Sequence, residues 1–87
     1  MKANEFIKKF GIFGAKEYLA GATFFDEHLM VFTDTNELKR LIESHELIVN
    51  DFESIEIAEY EYMVSGCYSE PYWIRIKQAI ADVESCL

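Results

Sequence analysis

Residues 34–48, "DTNELKRLIESHELI", leave the chain little choice of local structure. Asp34 and Glu37 stand three apart, the spacing at which an N-cap acid and a reciprocal glutamate satisfy the free amides of a helix start. Leu38, Leu41, Ile42, His45 and Ile48 then fall within about a third of a helical circumference, and Lys39, Arg40, Glu43 and Glu46 take the remainder. The pattern predicts a helix from Thr35 to about Ile48, and its apolar stripe needs a cover.

The rest of the chain supplies candidates. Trp73, Ile76, Ile80, Val83 and Leu87 alternate at spacings of three and four, predicting a helix from about Glu70 to Cys86. Ser69 can cap it, and Pro71 is tolerated in a first turn that owes no intrahelical hydrogen bond. Before it, "DFESIEIAEYEYMVSG" reads as one more helix, with Phe52, Ile55, Ala58, Tyr62 and Met63 on one face. Ile57, Tyr60 and Val64 lie nearly opposite, so this helix offers apolar side chains on two sides. The last helix does the same through Ile74 and Ala81. Packing between a sheet and another helix would bury both faces; a homodimer is the second explanation.

Upstream, Phe6, Ile7 and Phe10 share a helical side away from Lys8 and Lys9, with Asn4 as a cap and Gly11 as the end. A second short helix is expected from about Phe13 to Leu19, closed by Gly21. Between Gly21 and Asp34 the character changes. β-Branched and aromatic residues crowd into Thr23 to Phe25 and Leu29 to Thr33, which reads as two short strands, a hairpin around the polar "DEH" of Asp26 to His28. The fold expected is therefore α+β: a single, mainly helical domain over residues 1–87, with two short N-terminal helices, a small two-strand hairpin and three longer helices. With 51% apolar and 15% aromatic residues, 87 residues suffice for one core.

Charge is unevenly placed within the net -8. The first 22 residues hold four lysines against two glutamates, residues 23–50 six acids against two bases, and residues 51–87 eight against two. A surface of that sign repels phosphate, so nucleic acid is disfavoured except through Lys2, Lys8, Lys9 and Lys16. The opening "MKANEFIKKFG" forms neither the apolar run of a signal peptide nor a span of the bilayer, so no membrane association and a cytoplasmic location are expected. Cys67 and Cys86 are too few for a disulfide framework. A helix between them, rising ~1.5 Å per residue, would hold them too far apart to bridge.

The chain has no Gly-rich phosphate loop, no CxxC or HExxH and no nucleophile elbow, so an enzyme is not expected and no catalytic residue is assigned. No cofactor or metal is expected either. In "DEH" adjacent strand residues point to opposite faces, which favours a solvated turn over a metal site. His45 reads as a core histidine, since no second acid, base or nucleophile is tied to it. Cys67 has no flanking His or Lys to activate its thiol.

Two constellations remain as candidate partner-binding residues. Asp51, Glu53, Glu56, Glu59 and Glu61 make the densest acidic run, which is either a solvated face or an imitation of a phosphate backbone. Tyr60, Tyr62, Tyr68, Tyr72 and Trp73 gather around the loop "SGCYSEP", and aromatic side chains are enriched at interface hot spots. Tyr68 is the ring least easily assigned inward.

The string "DTNELKRLIESHELI" resembles a stretch of small, uncharacterised accessory proteins of lambda-like phages and enterobacterial prophages, where an acid or Asn precedes "LKRL" and then "ESHEL". The opening "NEFIKKFGIFGAKEYLAGA" is similar to the N-terminal helices of the same group. The resemblance covers roughly the first half of the chain and implies a phage or prophage gene expressed in a bacterial cytoplasm, with no catalytic residue. The function expected is non-catalytic binding of a host or phage protein through the acidic, aromatic C-terminal half. An acidic DNA mimic that inhibits a DNA-binding protein, with Glu53, Glu56, Glu59 and Glu61 as the mimic, is the alternative. A small nucleic-acid-associated regulator comes third.

Overall fold

A computed structural model describes residues 1–21 and 32–87, and every regular element among them is a helix. Helix α1 spans Ala3–Leu19, α2 Thr35–Phe52, α3 Ile55–Ser65 and α4 Pro71–Ser85. The α+β expectation is therefore corrected to an all-helical one among the described residues. The hairpin expected over Thr23–Phe25 and Leu29–Thr33 lies outside the described residues except for Phe32 and Thr33, which carry no strand. At Phe32 and Thr33 the physical reason is that β-branched and aromatic residues favour a strand only where a partner strand stands beside them. No described segment offers one.

The described residues form two compact units, Met1–Ile42 with Cys86, and Glu43–Ser85 with Leu87. In the first, α1 starts after Lys2, whose extended backbone makes it the N-cap in place of Asn4. The two short helices expected before Gly21 are both present within Ala3–Leu19, separated as expected at Gly11, where φ 76° and ψ 175° leave the helical region. Only glycine enters that region without a steric penalty. Phe6, fully buried, packs its ring 4.8 Å from Phe10 and 5.1 Å from Tyr18. The Tyr18 hydroxyl accepts a hydrogen bond from the Thr33 amide at 3.3 Å, and the Met1 ammonium donates to the Phe32 carbonyl at 2.9 Å. Leu38, Leu41 and Ile42 complete this core with Ala3, Ile7, Ala15 and Cys86.

Asp34 caps α2 as its spacing requires. Its Oδ1 accepts from the Asn36 amide at 2.9 Å and from the Glu37 amide at 3.0 Å. The helix runs past Ile48 to Phe52, so Asp51 and Phe52 end α2 rather than open α3. Glu53 closes α2 with φ 68°, a left-handed conformation usually left to Gly or Asn. Ser54 then caps α3, its Oγ accepting from the Ile57 amide at 3.3 Å.

The second unit's core is Ile48, Phe52, Ala58, Ile76, Ala79, Ile80 and Val83, with Leu47, Ile55, Tyr62 and Trp73 packed against it. Helices α3 and α4 pack directly on each other. The predicted stripe of α4 faces inward from Trp73 to Val83, but Leu87 lies beyond the helix and is exposed. Met63, expected inward, is also exposed, which leaves Ala58 as the fully buried residue of α3.

Candidate functional site

The second unit carries the residues singled out from the sequence. Its ring cluster begins at Tyr68, whose hydroxyl donates to the Met63 carbonyl at 2.7 Å while its ring stands 4.9 Å from Tyr62. Gly66, at φ 66°, ends α3 in the left-handed turn that brings the following loop back over it. Tyr62 lies 6.3 Å from Trp73, which also meets Phe52 at 6.2 Å and the edge of Tyr72 at 5.1 Å. Tyr68 and Tyr72 are thus the exposed ends of a packed aromatic chain. Tyr60 stands apart on the outer side of α3, exposed beside Ile57 and Val64.

The acidic run does not make one surface. At ~3.6 residues per turn, Glu56 and Glu59 share a side of α3, and Glu61 points well away from both. Glu53 sits in the joint between α2 and α3. The groups acquire different neighbours. Tyr72 donates its phenolic proton to Asp51 Oδ2 at 2.9 Å. Desolvation, that hydrogen bond, and the charges of Asp51 and Glu61 hold its phenol above the usual 10.0. Glu59 comes within hydrogen-bonding reach of Glu84 on α4, and this bond, desolvation, and the negative charges of Glu84 and Glu56 push its carboxyl above the usual 4.5.

Glu59 and Glu84 belong to a groove of about 310 Å³ on α3 and α4, with Tyr62, Met63 and Ile80 as its apolar lining and Lys77 as its single base. No local spacing signals this groove. Glu84 and Lys77 become its neighbours only through the packing of α4 on α3.

A second arrangement that sequence reasoning missed is buried. Ser44, fully enclosed, donates from Oγ to Asp82 Oδ2 at 2.6 Å and accepts from Arg75 Nη2 at 3.2 Å. Arg75 Nη1 is buried and has no hydrogen-bond partner. The signal available was a serine and an aspartate at the margins of two apolar stripes, positions where a polar residue is usually just solvated. His45, placed at the centre of its stripe by spacing, is only half-buried; Ser44 beside it takes the enclosed position.

Lys2, Lys8, Lys9 and Lys16 are all exposed on or before α1, on both sides of the Gly11 break, and Lys9 Nζ lies 5.5 Å from the centre of the Phe10 ring. Cys67 is half-buried and Cys86 buried, and no disulfide joins the two. The "DEH" residues Asp26 to His28 lie outside the described residues, among which no three His, Cys, Asp or Glu side chains gather as a metal site. No described helix is long and apolar enough to cross a membrane. Set beside known proteins, the chain matches no family model, no curated protein and no solved structure.

Proposed function

We propose that the protein is a non-catalytic accessory protein that binds another protein through its C-terminal half. One observation carries the reading. Helix α3 exposes Ile57 (43%), Tyr60 (65%), Met63 (69%) and Val64 (63%), and all its charged residues are glutamates. An eleven-residue helix that leaves four large apolar side chains in water is explained by a surface that another molecule covers. Tyr68 and Tyr72, pre-ordered by their hydrogen bonds and ring contacts, add rigid contact area at little entropic cost. The setting implied by the resemblance, a phage or prophage gene, makes a host or phage protein the partner and the bacterial cytoplasm its place.

Charge mimicry is supported less well. A DNA mimic needs a row of carboxylates, and in α3 the glutamates are divided between sides with apolar residues between them. The dispersal of Lys8, Lys9 and Lys16 over a broken helix likewise gives no continuous track for a nucleic-acid backbone.

The test is affinity capture of the tagged full chain from bacterial lysate, with size-exclusion chromatography of the eluate. A defined complex that Tyr60→Ala and Val64→Ser weaken is the expected result. A partnerless monomer in every fraction opposes the reading.

A further inference from the structure

Two carboxyl groups that meet over an apolar floor repel each other when both are ionised unless a proton or a cation joins them. That is the position of Glu59 on α3 and Glu84 on α4. Each is supplied by its own helix, and the packing of α3 on α4 forces the meeting. The groove below them is lined by Tyr62, Met63 and Ile80, atoms suited to the aliphatic stem of a long side chain and unable to bind its charged head. We infer that this groove receives an arginine or lysine side chain from the face of a basic amphipathic helix of the partner, its stem on Met63 and Ile80 and its cationic head between Glu59 and Glu84. The inference rests on the protein-binding reading above and names the chemistry of the partner.

Charge complementarity selects this occupant over the others. In α3 the charged residues are Glu56, Glu59 and Glu61 without one base, and the second half of the chain, residues 51–87, carries eight acids against two bases. A second copy of the chain docked through the same patch would set these glutamates against their own counterparts, because a two-fold interface is self-facing. Anionic lipid and nucleic acid are repelled for the same reason. A helix whose cations recur every three or four residues matches a groove between two helices, and its apolar positions can cover Met63 on the groove and Val64 beside it on α3. The raised Glu59 carboxyl agrees with this geometry, since the negative charges of Glu84 and Glu56 disfavour its ionised form and a guest cation would favour it. Lys77, the groove's own base, competes with the guest for the same carboxylates.

The experiment titrates the full chain with a synthetic amphipathic peptide of leucine and arginine at helical spacing, followed by calorimetry at low and physiological salt. A one-to-one complex is expected. The double variant Glu59→Gln with Glu84→Gln should weaken it about ten-fold or more, the loss of roughly one charge-assisted contact. A charge-matched control, Glu43→Gln with Glu70→Gln, should leave the affinity within about two-fold, as sites outside a contact do. Lys77→Gln should tighten binding. A peptide with the same composition in scrambled order should bind poorly, and one with glutamate for arginine not at all, which tests the pairing without altering the protein.

Equal affinity for the scrambled peptide, or for the double variant, overturns the inference. So does a homodimer in sedimentation velocity that buries Met63, since the occupant is then a second copy. If the Glu59→Gln and Glu84→Gln chain still captures its partner from lysate, the groove assignment fails and the protein-binding reading stands; if the wild-type chain captures nothing and binds no peptide, both fail.

Discussion

The Ser44 hydroxyl donates to Asp82 Oδ2 across 2.6 Å, linking the middle of α2 to the last turns of α4 from a fully enclosed position. Arg75 Nη2 donates in turn to the Ser44 oxygen, so one hydroxyl joins two polar side chains amid apolar surroundings. Replacing Ser44 by alanine removes a small volume and leaves both without this partner. Ser44→Ala should lower the unfolding free energy by about 1–3 kcal/mol, the range for a buried group left unsatisfied. A shift below about 0.5 kcal/mol in urea denaturation, the size of an ordinary surface change, would show that the link is not structural.

The Glu59 and Glu84 pair sets a pH dependence with a defined sign. Because the folded-state carboxyl is raised above 4.5, the folded protein holds more protons than the unfolded chain in the range above that value. The pair's contribution to stability is fully present below 4.5 and is lost as pH rises through the raised value. Glu84→Gln should therefore increase the melting temperature at neutral pH and flatten its decline across the weakly acidic range. An unchanged pH profile would contradict the pairing.

Tyr72 acts in the same direction at the alkaline end. Its phenol, raised above 10.0, keeps its proton in the folded protein after an unfolded tyrosine has lost it, so stability falls as pH climbs through and beyond that range. Difference absorbance near the tyrosinate band should show a late-titrating component in the wild type that Tyr72→Phe removes. Asp51→Asn should move the transition back toward the usual value, by removing both the acceptor's charge and its field.

Glu53 occupies the left-handed turn between α2 and α3 at φ 68° with a side chain that disfavours it. Glu53→Gly should stabilise the chain by about 0.5–1 kcal/mol, the relief of a Cβ clash less the greater freedom of glycine when unfolded. Gly66→Ala, at φ 66°, should destabilise it by a similar amount. Thermal melts of the two variants moving the same way would contradict this account of the turns.

What could be read from the chain follows from the reach of each signal. Asp34, Leu38, Leu41 and Ile48 announce α2 because capping and stripe are local, and Ile76, Ile80 and Val83 announce α4 for the same reason. The end of α2 at Phe52 escaped because glutamate, in place of the expected glycine, takes the left-handed position. Phe32 and Thr33, the described end of a run read as strand from composition, carry no strand, since a strand is stabilised by its neighbours. Among the candidate site residues, Tyr68 and Tyr72 were legible as exposed rings, and Met63 was misplaced because its helical angle borders the buried face. Glu84 and Lys77 were silent: Glu84 stands twenty-five positions after Glu59, and only tertiary packing makes them neighbours.

Cys86 has a consequence for how the molecule comes into being. It is buried with Ala3, Phe6, Leu38 and Leu41, so one core joins residues more than eighty positions apart in the chain. During synthesis Leu38, Leu41 and Ile42 are made early enough to cover Phe6, so Cys86 closes a cluster already begun, whereas the cluster around Ile48, Ala58 and Ile76 draws all its members from residues 48–83.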